Sequence, residues 1–181
     1  MKLAALFSGG KDSTYSIYKA RQMGHDIKCL ITLFPKSPNS HLLHFPSIKL
    51  TKLQSETMNI PHLVTELETD ETNQEMNALG ILLKKAKQDF QIDGLVHGGI
   101  SSEFQKKRFE NICKENDLNI LTPLWKTSPK EYMNDLIDSG FKFILTSVSS
   151  DGLDETWLGK IITISDLSKL SELSDKYGFN L

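Results

Sequence analysis

Short, mostly apolar runs alternate along this chain with stretches in which apolar positions recur every three or four residues, a pattern that predicts strand and helix in turn. Lys2 to Phe7 is the first run. It ends in Ser8-Gly9-Gly10-Lys11-Asp12-Ser13, after which Ile17, Ala20 and Met23 keep helical spacing until Gly24 stops them. Ile27 to Phe34, rich in β-branched residues, predicts a second strand, followed by a loop through Pro46 long enough to carry function. Leu50, Leu53 and Thr57 predict the apolar side of a helix closed by Pro61, and His62 to Leu67 a third strand. Met76, Leu79, Leu83, Ala86 and Phe90 mark an amphipathic helix with Lys84, Lys85 and Lys87 on its polar face.

Gly94 to His97 predicts a fourth strand. The loop Gly98-Gly99-Ile100-Ser101-Ser102 then opens a helix with Phe109, Ile112 and Cys113 on one side, and Asn119 to Leu124 predicts a fifth strand. Ser128-Pro129-Lys130-Glu131 reads as an N-cap, a Pro at the first helical position and the Glu of a capping box, for a helix running to Gly140. Phe141 to Val148 predicts a sixth strand, and Leu167, Leu170, Leu173 and Tyr177 a last helix stopped by Gly178.

Strands that are apolar throughout, alternating with helices, predict an α/β fold: a Rossmann-like, doubly wound parallel sheet of about five to six strands with helices on both faces. No repeat or linker interrupts the pattern, so residues 1–181 are expected to form one nucleotide-binding domain. In such folds ligands sit beyond the carboxyl ends of the strands, where strand order reverses. The Gly-rich turns here follow strands one and four. In the usual doubly wound order those strands are neighbours, so both turns would face one crevice.

Composition narrows the classes. With 39% hydrophobic and 24% charged residues and a net charge of -2, the chain lies near the globular average, away from disorder and coiled coil. No apolar run is long enough for a membrane helix, and the N-terminal run is too short for a signal peptide, so a soluble, cytoplasmic protein is expected. Cys29 and Cys113 lack metal or redox spacing and read as buried reduced thiols. The balanced charge lacks the broad basic signature of a nucleic-acid binder.

The chemistry is concentrated in Ser8-Gly9-Gly10-Lys11-Asp12-Ser13, between a buried strand and a helix N-terminus. Two glycines let backbone approach an anion closely, and the first-turn amides and helix dipole favour negative charge there. Lys11 adds a point charge, Ser8 and Ser13 offer hydroxyls, and Asp12 can orient the loop or help hold Mg²⁺. Neither G-x-x-x-x-G-K-[ST] nor G-x-G-x-x-G is present, which argues against γ-phosphate transfer and dinucleotide redox chemistry. The loop instead resembles the S-G-G-x-D-S pyrophosphate loop of the ATP-pyrophosphatases. That resemblance implies a grip on the β- and γ-phosphates of ATP, cleavage between α and β, and adenylylation of an acceptor oxygen.

Further stretches single out one family. His97-Gly-Gly-Ile-Ser-Ser-Glu-Phe-Gln-Lys-Lys-Arg108, Pro123-Leu124-Trp125, Glu131-Tyr132-Met133 and Gly152-Leu153-Asp154-Glu155-Thr156-Trp157-Leu158-Gly159-Lys160 resemble the diphthine-ammonia ligase (diphthamide synthetase) family, over nearly the whole chain. Spacing alone lets Ser102, Gln105 and Arg108 share one helix face at the crevice, equally an exposed polar face. The resemblance makes Gly98, Ser102 and Gln105 ATP-binding positions beside Ser8, Gly9, Gly10, Lys11, Asp12 and Ser13. It makes Lys11, Asp12 and Arg108 the catalytic groups and Asp12 a Mg²⁺ ligand. It also implies substrate contacts from His44, Asp154, Glu155 and Trp157, although an aromatic usual to the family is His41 here. From the residues alone, Asp154 to Trp157 read equally as a capping turn with an anchoring aromatic. His97, at a strand end, reads as a satisfied core group.

The implied reaction is ATP-dependent amidation of diphthine on translation elongation factor two by ammonia, giving diphthamide, AMP and pyrophosphate. Family members continue into a Gly-Glu-Gly-Gly-Glu-x-Glu-Thr-like segment where this chain reaches Asn180-Leu181, so that segment is expected to be absent and the amide-forming half incomplete. The alternatives are a pyrophosphate-loop enzyme acting on a tRNA base or small molecule, and a non-catalytic adenine-nucleotide module.

Overall fold

A computed structural model describes residues 1–37, 40, 42, 43 and 48–180. The elements follow in the order β1 (Lys2–Leu6), α1 (Lys11–Gln22), β2 (Asp26–Phe34), α2 (Thr51–Met58), β3 (His62–Glu66), α3 (Thr72–Phe90), β4 (Gly94–Val96), α4 (Glu103–Glu115), β5 (Asn119–Leu121), α5 (Pro129–Asp138) and α6 (Ile164–Tyr177). Single 3₁₀ turns lie at Ile48–Leu50 and Glu155–Trp157. The strands form one five-stranded sheet, β3-β2-β1-β4-β5, in which every neighbouring pair is parallel. This is the expected doubly wound order.

Alternation along the strands sends side chains to both faces, and helices cover each. On one side Ala4, Cys29, Ile31, Leu33 and Leu95 share a buried cluster with Leu79, Leu83 and Ala86 of α3 and Phe109, Ile112 and Cys113 of α4. On the other, Leu3, Ala5, Leu30 and Val96 cluster with Ile17 and Ala20 of α1. A register shift pairs Leu3 with Ile27 but Ala4 with Cys29, so Lys28 drops out of the alternation and Ile27 shares a face with Leu30. Both cysteines are free and buried, as expected. Among the described residues no helix is long and apolar enough to cross a membrane.

By internal packing the chain divides into two compact units, Met1–Trp125 and Lys126–Leu181, a boundary the sequence pattern did not reveal. The sheet belongs to the first unit; the second holds α5 and α6.

Three local expectations change. Residues 141–148 do not form a sixth strand: Ile144 and Leu145 make isolated bridges to Ile161 and Leu158. From Phe141 to Thr146 only alternate residues are partly buried, so the run has one-sided cover where a central parallel strand needs two. On α2 the predicted apolar residues face outward, Leu53 being 63% exposed, while Thr51 and Ser55 are buried. Thr51 lies against Gly9 of the loop after β1, whose carbonyl accepts from Gln54 on the same helix, and Ser55 Oγ donates to Lys52 O. Ser128 makes no side-chain cap bond at α5, although Pro129 opens the helix. The reciprocal capping box lies instead at α6, where the Asp166 amide donates to Thr163 Oγ1 and the Thr163 amide to Asp166 Oδ2.

Candidate functional site

Strand order reverses between β1 and β4, which places the Ser8–Ser13 loop and the Gly98–Ser102 loop side by side beyond the carboxyl ends of neighbouring strands. Their contact is close: a Cβ added at Gly98 would lie 2.5 Å from the Asp12 carbonyl oxygen and 2.8 Å from the Ser13 nitrogen. Gly98 therefore makes room for the first turn of α1. Gly99 has a different constraint, since its Cβ would meet the ring of His97 at 2.7 Å.

The first loop is built from its own side chains. β1 continues through the Phe7 amide, which donates to Ile31 O, and the Phe7 carbonyl accepts from Thr32 Oγ1 at 2.7 Å. Gly9 takes φ +76°, a conformation that favours glycine, and turns the chain. Gly10 then precedes α1 in extended conformation without a side-chain cap. Ser13, 6% exposed, donates from Oγ to Gly10 O at 3.0 Å and lies 3.2 Å from Ser8 Oγ. With its proton on Gly10 O, Ser13 accepts from Ser8, so the hydroxyls brace the loop in series. Lys11 Nζ and Asp12 Oδ1 pair at 2.7 Å across the helix start. Amides in a helix's first turn have no carbonyl one turn back, and the dipole adds partial positive charge, so this end suits a polyphosphate.

Two residues at the loop were missed from sequence because the face of α2 was assigned to its leucines. Gln54 Nε2 donates to Gly9 O at 3.0 Å, and Thr51, fully buried, lies against Gly9 from the same side. A polar residue three positions after a helix start is ordinary in sequence and carries no signal of its own.

Across the crevice, Ser102 N-caps α4 by accepting from the Gln105 amide at 3.3 Å. Gln105 Nε2 donates to Leu42 O at 3.1 Å and ties down the loop after β2. That loop is also held by Ser40 Oγ donating to Glu75 Oε1 at 2.7 Å, and by Ser37 to Asp70 at 2.7 Å. Glu75 is buried in the first turn of α3, where the helix dipole favours a carboxylate. Arg108 stacks its guanidinium 3.6 Å over Phe104, and Lys106 lies 4.4 Å over Trp125. His44 and His41 lie outside the described residues.

His97 is 2% exposed, and its Nδ1 accepts from the Gly99 amide at 3.0 Å. The proton therefore sits on Nε2, which is buried with no hydrogen-bond partner among the described residues, so the satisfied core group expected from sequence is only half satisfied. Burial, aided by the Lys106 charge, pulls its pKa down to about 4.

In the second unit Asp154 caps a 3₁₀ turn, accepting from the amide and hydroxyl of Thr156, which holds its carboxyl below the usual range. Glu155 is exposed. Trp157 is buried, with Lys160 Nζ 4.3 Å and Lys169 Nζ 5.7 Å over its ring. These are the contacts of a capped turn and an anchoring aromatic.

Residues 1–120 match the diphthamide synthase N-terminal domain and residues 128–181 the diphthamide synthase C-terminal domain. The chain belongs to the diphthamide synthase family. Diphthine–ammonia ligases from mouse and human are 32% and 30% identical to it over the whole chain, which spans 74% of each of them. The fission yeast diphthine–ammonia ligase is 28% identical over 97% of the chain and 30% of its own length. A predicted tRNA methyltransferase subunit from Methanocaldococcus jannaschii superposes at a TM-score of 0.49 with 18% identity. The interval between the two matched family domains contains the boundary between the two compact units.

Proposed function

We propose that this member of the diphthamide synthase family is an ATP-dependent diphthine–ammonia ligase that amidates diphthine on translation elongation factor two. The supporting observation is the Ser8–Ser13 loop at the sheet's switch point, within a chain that aligns end to end with ligases of that name.

A diphthine carboxylate oxygen attacks the α-phosphorus of ATP, the bond to the bridging oxygen breaks, and pyrophosphate leaves. Ammonia then attacks the acyl carbon, the bond to the phosphate oxygen breaks, AMP departs and a proton is lost from nitrogen. The loop amides and Lys11 hold the β- and γ-phosphates and stabilise charge as it moves onto pyrophosphate. Arg108, whose planar fork suits phosphate oxygens, acts from α4. Gly98, Ser102 and Gln105 set the opposite wall of the crevice.

Asp12 fits Mg²⁺ in the way that ion is usually held, by one or two carboxylates together with substrate phosphates and water. When bound, Mg²⁺ neutralises phosphate charge.

The test is pyrophosphate release from ATP in the presence of ammonium and diphthine-bearing elongation factor. Release that requires the modified factor supports the ligase. ATP binding with no release on that factor overturns it.

A further inference from the structure

We infer that Gln54 is a positioning residue of the phosphate loop, holding the Gly9 carbonyl so that the loop presents amides, and not a carbonyl oxygen, to the anion. The inference rests on the reading of Ser8–Ser13 as the ATP phosphate site.

A loop that binds phosphate through N–H groups has to turn its carbonyls elsewhere, because an amide oxygen facing a phosphate oxygen repels it. At Gly9 the positive φ of +76° sets the turn, and the Gly9 oxygen accepts from Gln54 Nε2 at 3.0 Å. The contact is tight as well as polar. A Cβ at Gly9 would lie 2.4 Å from Gln54 Oε1 and 3.1 Å from Thr51 Cγ2, so α2 closes the back of the loop, while the positive φ is what favours glycine there.

A second observation separates positioning from plain packing. Gln54 Oε1 is buried without a hydrogen-bond partner among the described residues, and so is Thr51 Oγ1. A buried amide oxygen without a donor costs stability, whereas an unbranched apolar side chain of the same length buries no unpaired oxygen of its own. Packing alone would favour a residue such as methionine at 54. The amide contributes one thing an apolar chain does not, the bond to Gly9 O. Gln54 therefore trades stability for loop geometry.

The experiment compares the parent chain with Gln54→Met, Lys11→Ala and Leu53→Ala, the last an exposed residue on the same helix. ATP and AMP affinities are measured by calorimetry, and melting temperature alongside. AMP lacks the β- and γ-phosphates that the loop holds, so it reports the rest of the nucleotide site. Gln54→Met is expected to weaken ATP about tenfold, the effect of one lost hydrogen bond on a binding loop, with AMP affinity unchanged and the melting temperature equal or higher. Leu53→Ala leaves both affinities at the parent values.

ATP affinity within twofold of the parent in Gln54→Met, while Lys11→Ala loses it, overturns the inference and leaves the ATP reading standing. Equal weakening of ATP and AMP together with a lower melting temperature also overturns it, since that is the signature of a structural role. If Lys11→Ala binds ATP as the parent does, the phosphate-loop reading itself fails. Should Gln54→Met not fold, Gln54→Glu keeps the shape, replaces the donor with an acceptor facing Gly9 O, and is judged by the same outcomes.

Discussion

Replacing Gly98 with alanine tests whether the two loops of the crevice are set against each other as closely as the structure shows. The added Cβ would lie 2.5 Å from Asp12 O, 2.6 Å from Asp12 C and 2.8 Å from Ser13 N. Ordinary contacts of this kind start near 3.5 Å, so something has to yield by about 1 Å. All three atoms are backbone, and no rotamer relieves the clash. The β4 side is pinned by the His97 amide on Leu121 O and the Gly99 amide on His97 Nδ1, which leaves the first turn of α1 to move. Forced overpacking costs about 1–3 kcal/mol, and a backbone clash belongs at the upper end. For a chain of this size that lowers the melting temperature by roughly 5–10 °C. On the proposed reading of this turn as the phosphate site, displacing it by about 1 Å is expected to lower kcat/KM for ATP about 100-fold. Thermal melting and ATP-dependent pyrophosphate release measure the two effects. A Gly98→Ala protein that melts within 2 °C of the parent and keeps kcat/KM within about threefold would refute the reasoning.

Gly10→Ala is expected to behave oppositely, because its Cβ would meet only Ser8 Oγ, at an ordinary 3.5 Å. The melting temperature should stay near the parent's while ATP affinity falls, since the methyl then crowds the ligand and nothing else; calorimetry and a melt check both. His97 has its folded pKa lowered to about 4 from an ordinary 6.5 by burial. The unfolded chain therefore takes up a proton first as pH falls, and stability is full above 6.5 and declines between 6.5 and about 4 by about 3 kcal/mol in total. Burial lowers the pKa of His62 in the same direction. Urea midpoints across that window should fall less steeply in His97→Asn, which keeps an acceptor for the Gly99 amide; an unchanged slope counts against the assignment. Burial also pushes the thiols of Cys29 and Cys113 up to about 12. Neither should react with a maleimide at pH 8 in the native state and both should in urea, as mass spectrometry reads directly.

The sheet was legible because its strands carry an unmixed signal. Ile27 to Phe34 is interrupted only by Lys28 and Thr32, and two-sided burial in a parallel sheet is what such a run is for. Residues 141–148 give nearly the same string locally but lack cover on one side, and periodicity cannot report what lies above a run. On α2 the difficulty is reversed. Leu50 and Leu53 look like core positions, yet the surface they would have to meet is a glycine loop that packs against Thr51 and bonds Gln54. The Ser8–Ser13 loop was legible as a candidate anion site because its chemistry is contiguous. Glu75, Ser40 and Asp70 were not: they brace the loop after β2 through bonds spanning more than thirty residues, which no local pattern encodes.

Gly98, Ser102, Gln105 and Arg108 divide by what each touches. Gly98 admits the α1 backbone, Ser102 caps α4, and Gln105 anchors Leu42. Each shapes the crevice through a contact with protein. Arg108 differs: its guanidinium stacks on Phe104, which fixes the plane of the fork through its face and leaves the edge, where the N–H donors lie, for an anion. On the proposed reading, the three-residue spacing of Ser102, Gln105 and Arg108 gives one helix face two jobs, bracing at its start and charge a turn later. On that reading, Arg108 is the residue of this stretch that supplies charge. Arg108→Lys, which keeps the charge but not the planar fork, should lower kcat for adenylylation by an order of magnitude or more, whereas Ser102→Ala, which removes a cap worth about 1 kcal/mol, should lower mainly the melting temperature. Equal effects of the two on kcat would mean that the whole face acts as ligand and that the bracing contacts are incidental.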